Sequence, residues 1–174
     1  ILSPSDSVMA ANLAEHACYS PTPTYLRLER SILPILSENF IDNESGFRII
    51  ERGEDLCLIS TGNMVHKALE VSKTLNEEGY SSTVADLYRI KPVNHGAIAD
   101  LIKKYKKIVT LEEHLLAGGL GSIIAEIITD ESLGINLKRI GIDDKLVYLY
   151  GRKNIHRELG LDSDSIIKNI LTSK

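Results

Sequence analysis

The sequence predicts an α/β protein: a three-layer α/β/α domain with a mostly parallel sheet of about five strands, preceded by a fragment of a second α/β domain. Three observations carry this. From residue 46 onward, strand-like and helix-like patterns alternate with short connections, as a sheet covered by helices on both faces requires. The run "LCLISTG" at 56–62 is almost continuously apolar, as a strand buried on both faces must be. Hydrophobic residues make up 43% of the 174, enough for a real core.

The elements follow in order. In residues 1–45, Asp6 or Ser5 can cap a helix whose apolar face is Val8, Met9, Ala11, Leu13, Ala14 and Ala17. Pro21 and Pro23 stop it. "TYLRLERS" at 24–31 alternates as a strand would, with Tyr25 and Arg27 on one face and Leu26 and Leu28 on the other. About 40 residues of this kind lie below the size that folds alone, so the segment is expected to need a partner. The chain begins Ile1-Leu2-Ser3 without an initiator Met, and a substantial N-terminal part is expected to precede it.

From residue 46 the second unit begins. "GFRIIERG" is a strand closed by the Gly53-Glu54-Asp55 turn, and "LCLISTG" is the buried strand after it. Asn63 caps a helix to about Glu78, with Val65, Ala68, Leu69, Val71, Ser72 and Leu75 inward and Gly79 at its end. "STVADLY" is a strand, and Pro92 breaks the chain behind it. "HGAIADLIKKY" is a helix, "KIVTLEE" a buried strand, "GGLGSIIAEIITD" a helix opened by glycines and "NLKRIGI" a further strand. After a turn near Gly151, "NIHREL" is a short helix, and "SDSIIKNILTS" is the terminal one. The resulting domains are 1–45 and 46–174.

Composition excludes several functions. The net charge of −4, from 20 basic and 24 acidic residues, leaves no footprint for nucleic acid. The cluster Lys103, Lys104, Lys106 and Lys107 does not make one. No stretch approaches the roughly 20 unbroken apolar residues of a membrane helix. Cys18 and Cys57 are too far apart for a disulfide framework or zinc spacing, which suits a reducing cytoplasm. No two of the five histidines stand at i, i+3 or i, i+4, so no helix-borne metal pair exists.

"GGLGS" at 118–122 opens a helix and invites a phosphate-loop reading. A dinucleotide fingerprint needs glycine at 119, 121 and 124, but position 124 is Ile, and no Lys-Ser or Lys-Thr pair makes a P-loop. Close packing of the helix start against a strand or a partner chain is the simpler reading. "EEH" at 112–114 ends a buried strand, where open sheets place ligands. Adjacent strand residues point in different directions, so Glu112 and Glu113 form no shared acid–base pair. Helix capping, backbone hydrogen bonds or a subunit contact fits better. Arg27 and Arg30 sit where a strand leaves its sheet, placed for an anion or for a surface salt bridge.

These segments together carry a resemblance. "PTYLRLER" resembles the end of the pyrimidine-binding domain of transketolase-type enzymes. "ERGEDLCLISTGNMVHKALEVSKTLNEEGYSSTVADLYRIKPVN" is similar to the start of the transketolase C-terminal domain, and "IVTLEEHLLAGGLGSIIAEII", "RIGIDD" and "LGLDSDSI" resemble its later motifs. Transketolase and 1-deoxyxylulose-5-phosphate synthase share the series, and the beta subunits of 2-oxo acid dehydrogenases share a looser form.

The resemblance implies the C-terminal part of a thiamine diphosphate-dependent enzyme that moves a two-carbon ketol unit between sugar phosphates. It implies magnesium and thiamine diphosphate in the complete enzyme, held by an N-terminal region or separate subunit, with none bound by this chain alone. It assigns no catalytic residue here. Arg30 matches the family arginine that holds a substrate phosphate. The family's homodimer makes Glu112, His114, Gly118, Gly119 and Gly121 candidates for the interface. Three positions depart from the pattern: Asn94 where Asp is usual, "KLVYLYG" after "GIDD", and Glu29 where the synthase has Pro. The alternatives are a non-catalytic assembly or regulatory module of the same fold, part of a 1-deoxyxylulose-5-phosphate synthase, or a 2-oxo acid dehydrogenase beta subunit. A free-standing nucleotide-binding domain rests only on "GGLGS".

Overall fold

A five-stranded sheet forms the centre of the computed structural model, which describes residues 1–40, 42, 44–145 and 151–172. The elements are α1 (Ser7–Tyr19), β1 (Phe47–Glu51), β2 (Leu56–Ser60), α2 (Met64–Glu77), β3 (Ser82–Leu87), α3 (His95–Ile102), β4 (Lys107–Leu115), α4 (Leu120–Asp130), β5 (Asn136–Ile142), α5 (Arg152–Glu158) and α6 (Ser163–Thr172). The strand order is β1-β3-β2-β4-β5. β3, β2, β4 and β5 are parallel neighbours, and β1 closes one edge antiparallel to β3. The expected α/β architecture, with a mostly parallel five-stranded sheet, is therefore present.

The two faces of the sheet bury separate cores. Leu58, Val84, Val109 and Leu111 point to one face, under α2 and α6, which add Met64, Val71, Leu75, Ile166 and Ile170. Cys57, Ile59, Ala85 and Ile108 point to the other, under α3 and α4, which add Ile98, Ile102, Ile124 and Ile127. All five β2 residues are buried, since both faces of this central strand are covered. Each fully buried Leu or Ile contributes about 1.5–3 kcal/mol. A third, smaller cluster joins Leu2, Met9, Leu13, Phe40 and Tyr88, so α1 rests beside the end of β3.

Residues 1–27 are tied to that edge by backbone bonds. Leu2 bridges Leu26 in parallel and Arg89 antiparallel. Asp6 caps α1 by accepting the Met9 amide at 2.7 Å. Arg48 of β1 locks the junction: it donates to Asp6 and Asp86, both at 3.1 Å, and to Ser5 at 2.8 Å.

Local details depart from the sequence expectations. The stretch 24–31 forms only the single bridge at Leu26, and Leu28 is 62% exposed, so its alternation does not build a strand. The helix expected over 95–105 stops at Ile102, because the chain turns there to enter β4. Asn63 stands at the start of α2 but makes no capping bond; its amide goes to Glu113 instead. Most of "KLVYLYG" lies outside the described residues.

Candidate functional site

The sheet order decides where a cleft can form. α2 carries the chain from β2 to one side, and α4 carries it from β4 to the other. The loops after these adjacent strands part at their carboxyl ends, where open α/β sheets bind ligands. A cleft of about 630 Å³ opens there. Thr61, Gly62 and Asn63 follow β2 into its floor, and Glu112, Glu113 and His114 close β4. Arg27 to Arg30 form a wall from the N-terminal segment, and Arg152 of α5 faces them.

The side-chain alternation of β4 sends its two glutamates apart. Glu112 is 1% exposed and turns under α4, where its carboxylate accepts the Leu120 amide at 2.7 Å and the Gly121 amide at 2.9 Å. An anion at a helix N-terminus is favourable both by hydrogen bonding and by the helix dipole. Burial pushes the Glu112 carboxyl up despite those bonds.

Glu113 turns the other way. Asn63 donates to it at 2.8 Å, His156 bonds it at 2.7 Å, and Arg152 grips both oxygens at 2.7 and 2.5 Å. Burial alone would raise its pKa, but bonds from Arg152, His156 and Asn63 outweigh burial and hold it down at about 2. Arg152 also reaches Glu29 at 2.6 Å, which lowers the Glu29 carboxyl.

The glycines explain themselves by contact. A Cβ on Gly119 would run into the Glu112 carboxylate and lie 2.5 Å from the Leu115 carbonyl oxygen. A Cβ on Gly121 would lie 2.8 Å from both the Thr110 hydroxyl and the Arg139 side chain. The helix start thus packs directly on β4 and β5, with no room for a side chain. Gly118 differs: its surroundings are open, but its φ of +73° favours glycine.

Of the residues singled out from sequence, Arg30, Glu112, His114, Gly118 and Gly119 all line this one cleft, and Gly121 lies beneath it. Arg30, His114 and Gly118 are exposed, whereas Glu112, Gly119 and Gly121 are buried within their own chain. Among the described residues no carboxylate pairs with the side chain of Arg27 or Arg30. Sequence reasoning missed Asn63, Arg152 and His156 as partners of Glu113. Arg152 stands 39 residues from Glu113 and 123 from Glu29, and no periodicity carries that pairing. No group of three His, Cys, Asp or Glu among the described residues could hold a metal ion. No helix among them is long and apolar enough to cross a membrane.

Residues 46–166 match the family model "Transketolase, C-terminal domain". A protein of Methanocaldococcus jannaschii described as "Putative transketolase C-terminal section" is 35% identical over 98% of this chain and 54% of its own length. One of the subunits of an apulose-4-phosphate transketolase, from Actinobacillus succinogenes, is 31% identical over 96% of this chain and 54% of its own. The chain spans about half the length of these curated relatives. A 1-deoxy-D-xylulose-5-phosphate synthase of Parasynechococcus marenigrum is 32% identical over 84% of this chain and 24% of its own. Among solved structures, a split-gene transketolase described as an inactive beta4 tetramer superposes with a TM-score of 0.89 at 28% identity, over 99% of this chain and 56% of that one.

Proposed function

The chain belongs to the transketolase family through its C-terminal domain, and from that premise we propose that it is the C-terminal part of a thiamine diphosphate-dependent, transketolase-like enzyme. That enzyme transfers a two-carbon ketol unit between sugar phosphates. Residues 1–45 are the tail of the pyrimidine-binding domain with its linker, and 46–174 are the C-terminal domain. This part serves substrate-phosphate binding and assembly of the enzyme, and the complete enzyme works in the cytoplasm.

The observation that carries the reading is Arg30, an arginine with no carboxylate partner among the described residues, in the cleft at the carboxyl ends of β2 and β4. A guanidinium there offers a forked, charge-assisted grip on a phosphate. Thiamine diphosphate supplies the carbanion chemistry of ketol transfer when bound. As the family resemblance implies, the cofactor and its magnesium are held by an N-terminal section, and no step through them is assigned to these residues.

Two relatives favour a separate partner chain. One is named as a single subunit of its transketolase, and another, from a split gene, is an "inactive beta4 tetramer". In a homodimer, His114 and Gly118 are the interface candidates exposed for contact, while Glu112, Gly119 and Gly121 shape that surface from beneath. The synthase relatives support a second reading, a piece of a 1-deoxyxylulose-5-phosphate synthase. Glu29 stands where that enzyme's pattern has Pro.

Two measurements test the proposal. Calorimetry of this chain with thiamine diphosphate and magnesium is expected to show no micromolar binding. Mixing it with an N-terminal transketolase section is expected to produce ketol transfer between sugar phosphates. Tight cofactor binding by the 174 residues alone, or a well-formed mixed complex without transfer, refutes the reading.

A further inference from the structure

Arg152 shares the cleft with Arg30, but two carboxylates, Glu113 and Glu29, engage its charge. Its Nε donates to Glu113 at 2.7 Å, and one terminal nitrogen reaches Glu113 at 2.5 Å and Glu29 at 2.6 Å. Glu29 uses its other oxygen on the backbone: Oε1 accepts the amides of Arg30 at 2.8 Å and Ser31 at 3.2 Å. One carboxylate therefore shapes the turn that carries Arg30, and Arg152 holds that carboxylate. Glu113 in turn holds Arg152, and is fixed by Asn63 and His156.

We propose that Arg152 is a positioning residue for an anion bound at Arg30: by engaging the Glu29 carboxylate, it keeps the neighbouring Arg30 guanidinium free. This rests on the phosphate reading of Arg30 given above. Glu29 is the covalent neighbour of Arg30, so its charge is never far from an anion held there. Without Arg152 the Glu29 carboxylate has two courses. It pairs with Arg30 and occupies the donors an anion needs, or it stays unpaired and repels that anion. Both weaken binding, and both act through charge rather than through the shape of the turn. Glu29→Gln separates these effects, because the amide oxygen still accepts the Arg30 and Ser31 amides while the charge is gone.

The test titrates the full chain with inorganic phosphate and follows the Arg30 Nε–H resonance by NMR. Arg152→Met is expected to weaken phosphate by about tenfold. Adding Glu29→Gln to that variant is expected to restore affinity to within about threefold of wild type. Arg152→Lys keeps a charge but not the fork that spans two carboxylates, and is expected to lose about threefold. A merely structural arginine gives a different pattern, in which the second substitution deepens the loss. Unchanged affinity in both Arg152 variants, or no recovery on removing the Glu29 charge, overturns the inference and leaves the Arg30 reading standing. Phosphate that does not move the wild-type Arg30 signal overturns the Arg30 reading, and this inference with it.

Discussion

Glu112 accepts the backbone amide of Leu120 at 2.7 Å, joining the end of β4 to the first residue of α4 inside one buried contact. The carboxylate occupies the space a side chain at Gly119 would need. Gly119 is thus the counterpart of an acidic side chain, and no phosphate is required to explain it.

Gly119→Ala forces the Glu112 carboxylate aside and costs α4 its cap. Overpacking of this kind costs about 1–3 kcal/mol, and loss of a cap adds about 1. Gly118→Ala meets open space and suffers only its positive φ, about 1–2 kcal/mol. Urea denaturation of both variants checks the order. Equal losses at the two positions would contradict the packing account.

Arg30→Ala, measured in the assembled enzyme, loses a charged hydrogen bond worth roughly 1.5–3 kcal/mol. That is a fall in kcat/KM of roughly 10- to 150-fold for phosphorylated acceptors. Short unphosphorylated hydroxyaldehydes are spared, and Arg30→Lys recovers part of the loss. The ratio of kcat/KM for the two acceptor classes decides. A parallel fall in both makes Arg30 a residue of the domain junction.

Glu113 sets a pH dependence of stability. Its carboxyl is held at about 2 in the folded chain, against an ordinary value of 4.5. A depressed folded pKa means the stabilisation is complete above 4.5 and is lost as pH falls from there toward 2. Urea midpoints of wild type are therefore expected to drop across that window. Glu113→Gln is less stable at neutral pH and drops less. Parallel curves for the two proteins would show that Glu113 is not a source of the acid sensitivity.

Arg48→Met leaves two buried carboxylates, Asp6 and Asp86, without their shared cation. Breaking a buried pair in this way costs about 3–5 kcal/mol. Burial already pushes the Asp86 carboxyl up to about 6. A raised folded pKa gives stability that is present below the unfolded value and lost as pH rises, so the variant is expected to suffer more at neutral pH than in mild acid. Chemical denaturation at both pH values measures this. Limited proteolysis should cut the variant first within residues 1–45.

Most of the fold between 46 and 172 was legible, because α2, α3, α4 and α6 each bury one periodic face in a large core, while β2 and β3 read as continuous buried runs. The stretch 24–31 misled, because alternation reports which residues are apolar and not whether a neighbouring strand exists. Leu26 finds Leu2, while Leu28 finds no cover. The cleft was legible only in outline. "EEH" at a strand end marked the place, and alternation already required that Glu112 and Glu113 diverge. That Glu113 would meet Arg152 depends on how α5 docks, and nothing local in the sequence encodes it.

The three unequal clusters of apolar side chains imply that this molecule does not open as one unit. The two large ones hold the sheet, while the segment bearing Arg30 rests, among the described residues, on a cluster of five buried hydrophobic residues, Tyr88 among them. Cooperative units with less buried surface open at lower free energy. The wall of the cleft therefore detaches while β2 and β4 are still paired, so the capacity to bind fails under milder stress than the architecture does.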